Sequence, residues 1–235
     1  MTAPWPALAS LDWTALAAEL DRSGVALTPT LLTPAQCAEV AGWFDDAARF
    51  RSTVVMSRHA YGEGTYRYFA YPYPALVDRL RTELYPPLAA IANGWAARLG
   101  ESTLPATHAE LLARCADAGQ RRPTPLVLRY DAGGYNCLHQ DVYGSVTFPL
   151  QLAIVLDRPD VDFTGGENVF VEQRPRAQSR PMVLRPAQGQ AMIFAVHHRP
   201  ERGARGDRKV ALRHGVSTVT SGRRHALGII FHDAT

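Results

Sequence analysis

Residues 125–141 read PLVLRYDAGGYNCLHQD, and this stretch decides the fold. Two short runs of strand-forming residues, 125–130 and 135–141, flank Asp-Ala-Gly-Gly, a typical turn signal. His139 and Asp141 stand two residues apart on the second run, so their side chains leave the same face of the predicted strand. An imidazole and a carboxylate placed in this way can bind one cation, with a third ligand supplied from elsewhere in the chain.

The same strand pattern continues to the C-terminus and predicts a sandwich or barrel. The predicted strands are 125–130, 135–141, 148–157, 167–172, 182–184, 191–196, 210–214, 216–220 and 224–231. Residues 1–122 have mainly helical patterns and are expected to support a catalytic core of residues 123–235 within one domain, 1–235. The predicted helices are Leu11–Leu20 after Ser10, Thr33–Phe50 with Pro34 at its first turn, two helices within 76–99 separated at Pro86-Pro87, and His108–Ala118. Between them, the tyrosine-rich strip Tyr61–Tyr73 is predicted to be an extended loop or an edge strand.

Composition excludes several classes of protein. Apolar residues make up 46% and charged residues 20% of the 235 residues, which is a globular balance rather than that of a disordered chain. The three cysteines cannot all pair and lack C-x-x-C spacing, so we expect a reducing, cytoplasmic location. The N-terminus has no basic segment typical of a secretory signal, and no apolar run reaches membrane-spanning length.

The positive charge is unevenly distributed. Residues 173–224 contain twelve Lys or Arg and two acids, a local balance of +10 that leaves −7 for the rest of a chain whose net charge is +3. This asymmetry predicts an anionic partner. Within the block, residues 197–209 are open to two interpretations, a basic lid that holds a phosphate backbone or a solvated hairpin.

A second histidine near the C-terminus can complete the cation site. His214 ends a predicted strand, a turn is predicted at Ser221-Gly222, and Arg223 and Arg224 open the next strand. A histidine and an arginine separated in this way can face one cavity, where the arginine binds a carboxylate through two hydrogen bonds. Strand alternation lets only one of the two arginines point inward, and we favour Arg224.

These motifs resemble the Fe(II)- and 2-oxoglutarate-dependent dioxygenases, in their prolyl-hydroxylase-like branch. That superfamily has a tyrosine nine residues before its first histidine ligand, and Tyr130 stands nine residues before His139. The glycines at 133–134 and 165–166 also match glycines of the superfamily. More narrowly, the chain resembles a bacterial oxygenase family labelled as oxidatively demethylating damaged DNA bases. The matching stretches are MSRH at 56–59, YRYF at 66–69, GQRRPTPL at 119–126, LHQD at 138–141, FPLQ at 148–151, EQRPRAQSR at 172–180 and RHGVS at 213–217.

The resemblance implies an α+β fold, a double-stranded β-helix (jelly-roll) core with N-terminal helices packed on one sheet. It also implies that His139, Asp141 and His214 bind Fe(II), that Arg224 and Tyr130 bind 2-oxoglutarate, and that dioxygen is the oxidant. The expected reaction is hydroxylation of a C–H bond. The substrate is either an alkylated nucleic acid base, which loses its alkyl group through oxidation, or a protein side chain such as proline. A third possibility is a barrel that binds a metal or a small acid without catalysis.

Several neighbouring residues have alternative roles. Tyr130 is either a hydroxyl donor to 2-oxoglutarate or a core tyrosine, and Cys137 is either close to the iron or a small buried residue. The strip Tyr61–Tyr73 either stacks on a flipped base or packs on a helix. His197 and His198 lack the Gly-Arg sequence that follows a distal ligand and are interpreted as loop histidines.

Overall fold

The computed structural model describes residues 6–174, 176–204 and 206–235. Pro175 and Arg205, which belong to the basic block, and Met1–Trp5 lie outside the described residues. The strands are β1 (Val25–Thr30), β2 (Phe50–Val55), β3 (Gly62–Glu63), β4 (Thr65–Phe69), β5 (Leu126–Asp131), β6 (Tyr135–His139), β7 (Leu150–Val155), β8 (Phe163–Gly165), β9 (Asn168–Gln173), β10 (Arg180–Leu184), β11 (Gln190–Ala195), β12 (His198–Gly203), β13 (Gly206–Val216) and β14 (Val219–Ile229). The α-helices are α1 (Pro6–Ala9), α2 (Trp13–Ser23), α3 (Pro34–Trp43), α4 (Ala75–Leu99) and α5 (His108–Asp117).

The strands form two antiparallel sheets. The large sheet has the order β1-β11-β7-β14-β5-β4-β2, with β8 also paired to β14, and the small sheet has the order β10-β9-β13-β6-β3, with β12 also paired to β13. Helices α2, α3 and α4 contact strands β1, β11 and β14 of the large sheet, and α2 and α4 also contact β12. The main hydrophobic core joins these helices to the large sheet. The α+β, double-stranded β-helix architecture with helices on one sheet is therefore confirmed.

Two helices begin as their sequences predict. Thr33 caps α3, accepting a hydrogen bond from the Gln36 N–H, and Pro34 occupies the first turn. Helix α5 begins at His108, as expected. For α2 the predicted cap is wrong: Asp12 rather than Ser10 accepts the hydrogen bond from the Ala15 N–H, at 3.0 Å.

The prediction that Pro86-Pro87 divides the 76–99 region into two helices is also wrong. Helix α4 runs unbroken from Ala75 to Leu99 with both prolines inside it. The prolines lie on its exposed or half-exposed side, beside exposed Thr82, where water can bond the carbonyls that they leave without N–H partners. The opposite side stays buried through Leu84 and Leu88, and this packing holds the helix together.

The first 122 residues contribute more strand than their helical patterns suggest. Strand β1 extends the large sheet beside β11, and α3 ends at Trp43, so that β2 occupies residues expected to follow or end a helix. The strip 61–73 contains one edge strand, as one alternative predicted, because β3 lies at the edge of the small sheet. Its second strand, β4, lies inside the large sheet, between β2 and β5. These strands are short, and neighbouring strands rather than local propensity stabilise them.

The C-terminal strands follow the prediction, with three corrections. Strands β8 and β12 were not expected, and no separate strand covers 216–220. The turn between β13 and β14 lies at Ser217–Thr218 instead of Ser221-Gly222. Gly222 has φ +74° but continues β14, where it pairs with Phe163 of β8. A glycine in the left-handed region can thus mark an irregularity within a strand as well as a turn.

The basic segment 197–209 forms the β12–β13 hairpin, and the lid interpretation is wrong. Strand β12 contacts α2 and α4, and the buried Arg199 side chain binds the Glu172 carboxylate at 2.7 Å and the Asp21 carbonyl at 3.0 Å. None of the described residues of this segment lines the large cavity between the sheets. The hairpin therefore lies on the helical side of the fold.

A buried arginine holds the C-terminal end of the chain against α4. The Arg81 guanidinium donates hydrogen bonds to the Asp233 carboxylate at 2.7 Å, to the Ile230 and Phe231 carbonyls at 2.9 Å and to the Tyr73 hydroxyl at 2.9 Å. Its side chain is 1% exposed. These hydrogen bonds solvate the Arg81–Asp233 ion pair in place of water.

We expect the substitution Arg81→Met to lower the free energy of unfolding by about 3 kcal/mol or more, because it leaves Asp233 buried without its cation. Urea denaturation measures this change. The control is Arg79→Met on the same helix, whose ion pair with Glu83 is partly exposed; its expected cost is below about 1 kcal/mol. Equal losses in the two variants would contradict the prediction.

No helix in the described parts of the chain is both long enough and apolar enough to cross a membrane.

Candidate metal centre and cavity

The structure brings together the three residues predicted to bind a metal. His139 at the end of β6 and His214 on β13 are direct partners across the antiparallel ladder. Asp141 follows β6 by two residues, and one ligand atom from each of the three side chains lies within 4.8 Å of the others. The Asp141 oxygens lie 3.4 Å from His139 Nε2 and 3.3 Å from His214 Nε2. All three side chains therefore converge on one point.

Neighbouring groups orient the two imidazoles. His139 Nδ1 lies 2.8 Å from the Cys137 carbonyl, which can only accept a hydrogen bond, so Nδ1 carries a proton and Nε2 is the ring nitrogen that faces the cluster. The His214 ring packs against Phe194, with ring centroids 4.7 Å apart. Each imidazole thus presents Nε2 to the carboxylate, the arrangement that a metal needs.

The charge state of the cluster also suits a divalent cation. Burial alone would raise the pKa of Asp141, but the His139 and His214 imidazoles hold it well below its ordinary value. Burial lowers the pKa of His214, whereas the Asp141 carboxylate raises the pKa of His139 against the effect of burial. Two imidazoles and one carboxylate on one side of an ion leave other coordination positions open, the donor set that suits non-haem Fe(II). The residues present therefore fit iron.

A cavity of about 540 Å³ lies between the two sheets and contains the cluster. The small sheet supplies His139 and His214, and the large sheet supplies Tyr130, Gln151 and Arg224. Most of the remaining lining is apolar or aromatic. The cavity is large enough for a small acid together with part of a second molecule.

Arg224 points into this cavity and Arg223 points away from it. The Arg223 side chain is 56% exposed and pairs with Asp131 at 2.6 Å. Arg224 is 1% exposed, donates to the Asn168 Oδ1 at 2.9 Å, and has a buried Nε without a partner. Within the described residues no carboxylate pairs with Arg224. A buried guanidinium in this state can bind an anion from the cavity.

Tyr130 lies directly across the ladder from Arg224. Its hydroxyl is buried and has no hydrogen-bond partner in the described part of the chain, and burial raises its pKa to about 12. It is therefore a neutral phenol that can donate a hydrogen bond beside the guanidinium.

Two glycines make room for this pair. A Cβ on Gly64, at φ +155°, would lie 2.7 Å from the Tyr130 ring, and a Cβ on Gly166, at φ +63°, would lie 2.9 Å from Arg224 Cδ. Any side chain at these positions would push Tyr130 or Arg224 from its place.

The remaining candidates of the sequence analysis have other roles. Cys137 is exposed and lines the cavity, so its interpretation as a buried residue is wrong. His197 lies in a loop, as expected, but His198 is the first residue of β12, so its interpretation as a loop histidine is wrong; their Nδ1 atoms are 2.7 Å apart. Of the tyrosine-rich strip, Tyr61, Tyr66 and Tyr68 line the cavity, whereas Tyr71 and Tyr73 bind Arg81.

Two residues that sequence reasoning did not single out contact the cluster. Gln151 on β7 donates to Asp141 Oδ2 at 2.7 Å, and Tyr143 donates its hydroxyl hydrogen to Asp141 Oδ1 at 2.7 Å. The one available signal for Gln151 is that it is a polar residue within an otherwise apolar strand.

The positive block is largely neutralised within the fold. Arg174 and Arg199 bind Glu172, and Arg208 binds Glu201. Other cations pair with acids outside the block: Arg185 with Asp160, Lys209 with Glu101 and Arg223 with Asp131. The local balance of +10 therefore overstates the charge available to a partner.

Comparison with known proteins gives one family and a group of similar folds. Residues 64–234 match the Oxygenase-NA family, described as "Oxygenase, catalysing oxidative methylation of damaged DNA". Uncharacterized proteins from two strains of Mycobacterium tuberculosis are 47% identical to this chain over 167 residues, which is 71% of this chain and 72% of each relative.

Three solved structures share the fold at low sequence identity. A prolyl hydroxylase of Trichoplax adhaerens, in complex with a hypoxia inducible factor peptide fragment, has a TM-score of 0.56 and 14% identity, covering 94% of this chain and 89% of that chain. A prolyl-4-hydroxylase of Pseudomonas putida has a TM-score of 0.53 and 13% identity, covering 92% and 96%. An oxidoreductase of the 2OG-Fe(II) oxygenase family from Burkholderia pseudomallei has a TM-score of 0.53 and 17% identity, covering 95% and 92%.

Proposed function

This chain belongs to the Oxygenase-NA family, and from that premise we propose that it hydroxylates a C–H bond of an alkylated nucleic acid base. It is an oxidoreductase of the class that uses Fe(II) and 2-oxoglutarate, since its fold is that of those oxygenases and its His-Asp-His cluster can hold iron. The observation that carries the proposal is that this cluster lines one cavity with the Arg224 guanidinium, which pairs with no carboxylate of the described residues.

The proposed roles of the residues follow from their contacts. His139, Asp141 and His214 hold the iron, which when bound supplies dioxygen activation and C–H oxidation coupled to decarboxylation of 2-oxoglutarate. The Arg224 guanidinium binds the far carboxylate of 2-oxoglutarate, and the Tyr130 hydroxyl donates a hydrogen bond to the same group. The apolar walls exclude water from the reacting atoms.

The proposed substrate is a nucleic acid base, and the residues that line the cavity support a planar substrate of this kind. Tyr61 is 49% exposed and stacks on His59, with ring centroids 5.4 Å apart and planes at 23°. Leu138 and Val142, also exposed, line the cavity with it. An exposed aromatic ring beside apolar residues can stack on a base displaced from its strand.

Backbone phosphates would need exposed cations that are not already paired. Arg58, Arg180 and Arg213 are exposed and form no ion pair with a carboxylate of the described residues. Phosphate contacts through exposed arginines of this kind predict binding that weakens as salt increases. Binding of oligonucleotides that does not depend on salt concentration would contradict this part of the proposal.

The experiment that tests the proposed function measures 2-oxoglutarate turnover in the Fe(II)-loaded protein. Methylated single-stranded oligonucleotides are compared with their unmethylated forms and with proline-containing peptides. We expect turnover to rise only with the methylated strands. Turnover that rises with the peptides favours protein hydroxylation, and iron binding without any 2-oxoglutarate consumption indicates a barrel without catalytic activity.

We expect Tyr61→Ala to weaken the binding of methylated oligonucleotides by about 1–3 kcal/mol, which is the usual contribution of one base stacked on an aromatic ring. Fluorescence anisotropy measures the affinity. Tyr61→Phe is the matched control and retains wild-type affinity, because the ring remains. An affinity unchanged in Tyr61→Ala would show that this ring does not contact the base.

A further inference from the structure

The Asp141 carboxylate needs side-chain support because its backbone does not belong to a strand. Strand β6 ends at His139, and the chain enters no further strand until Leu150. Gln140 fixes the backbone nearby through hydrogen bonds from its amide to the His197 carbonyl at 3.0 Å and the Leu212 carbonyl at 2.8 Å. These bonds leave the Asp141 side chain free to rotate unless other groups hold its two oxygens.

One donor holds each oxygen. The Tyr143 hydroxyl donates to Oδ1 and the Gln151 Nε2 donates to Oδ2, both at 2.7 Å. Both are short bonds to a charged acceptor, the stronger class of hydrogen bond. Asp141 itself is buried, so water does not compete for these two positions. The pair of bonds fixes the plane of the carboxylate.

The Gln151 contact also joins the two sheets at the cluster. His139 and His214 both belong to the small sheet, whereas Gln151 lies on β7 of the large sheet, opposite Phe194 of β11. Asp141 can only accept hydrogen bonds, so the NH₂ group of the amide must face it. The Gln151 Oε1 is then directed elsewhere, and it has no partner in the described part of the chain.

We propose that Tyr143 and Gln151 are positioning residues that hold the Asp141 carboxylate in its metal-binding orientation. The inference rests on the proposed iron site. Neither residue is one of the three predicted ligands. Tyr143 acts on Asp141, and the Gln151 Nε2, besides its bond to Asp141, lies 3.3 Å from His214 Nε2. Donors that fix both carboxylate oxygens reduce the ordering that metal binding requires.

The test measures the affinity of the metal-free, full-length protein for Co(II), followed by its visible absorption. The variants are Tyr143→Phe, which removes one hydroxyl, and Gln151→Met, which keeps the length of the side chain without its donor. We expect each to weaken Co(II) binding by about 10- to 100-fold, the usual cost of losing an outer-sphere partner of a ligand. Tyr66→Phe is the matched control, since Tyr66 lines the same cavity without a hydrogen bond to Asp141, and its Co(II) affinity stays at the wild-type value.

Two further measurements separate positioning from a merely structural role. The circular dichroism spectrum of metal-free Tyr143→Phe, which reports whether the fold persists, and the affinity of its Co(II)-saturated form for 2-oxoglutarate both stay at wild-type values. Wild-type protein that fails to bind Co(II) would overturn the proposed iron site itself. Wild-type binding together with unchanged affinity in Tyr143→Phe, or in a folded Gln151→Met, would overturn this inference alone.

Discussion

We expect Asp141→Ala to abolish metal binding and 2-oxoglutarate turnover. The substitution removes the only carboxylate among the three residues of the cluster and leaves two imidazoles. Loss of an outer-sphere partner already costs up to about 100-fold in affinity, so loss of a ligand costs more. Titration with Co(II) and iron analysis of the purified protein measure the effect. His139→Ala gives the same result for the same reason.

The control for this prediction is His197→Ala. His197 is an exposed histidine beside the β12–β13 hairpin and does not line the cavity, so its removal leaves metal affinity unchanged. Circular dichroism of Asp141→Ala verifies that the fold persists. A folded Asp141→Ala variant that binds Co(II) with wild-type affinity would remove the cluster from consideration as the metal centre.

The metal cluster was accessible from the sequence because its geometry is mostly local. His139 and Asp141 are two residues apart, and the period of a strand places both on one side. His214 requires a long-range pairing: its place on a predicted strand made it a candidate for the third position, and the resemblance to known oxygenases connected it with the other two. The structure places it opposite His139 on the adjacent strand. Local periodicity thus identified two residues of the cluster, whereas the third depended on sheet topology.

The choice between Arg223 and Arg224 shows where such reasoning stops. Alternation along a strand requires one of the two side chains to point inward and the other outward. Which of them points inward depends on where the strand begins and on whether it is regular. Strand β14 begins earlier than predicted, at Val219, and its register with β8 shifts between Val219 and Ser221. The pairing of Arg224 with Tyr130 on β5 determines the inward residue, and that information is tertiary.

Gln151 and Tyr143 could not have been assigned from the sequence for a related reason. The Gln151 amide is explained by its contacts with Asp141 and His214, two residues of the cluster that do not belong to the large sheet. Tyr143 is only two residues from Asp141, but it lies outside the strands, where no fixed period relates neighbouring side chains. A polar residue in a buried strand signals that a partner exists without identifying it.

Arg224→Ala raises the 2-oxoglutarate concentration needed for half-maximal turnover by about 10²–10⁴-fold, because two hydrogen bonds to a charged group contribute about 1.5–3 kcal/mol each. Affinity for Co(II) stays within about twofold, since the guanidinium is not a ligand of the metal. Calorimetry of 2-oxoglutarate binding to the Co(II)-loaded protein measures the same loss without requiring turnover. Arg224→Lys keeps one positive charge and recovers part of the affinity.

Arg223→Ala is the matched control for this prediction, because Arg223 is the adjacent arginine on the same strand with its side chain on the exposed face. Its removal breaks a surface ion pair with Asp131 and leaves the cavity unchanged, so the affinity for 2-oxoglutarate stays at the wild-type value. If Arg223→Ala lost this affinity while Arg224→Ala kept it, the carboxylate would bind outside the cavity. The metal cluster would then be separated from its cosubstrate, and the proposed reaction could not occur at this site.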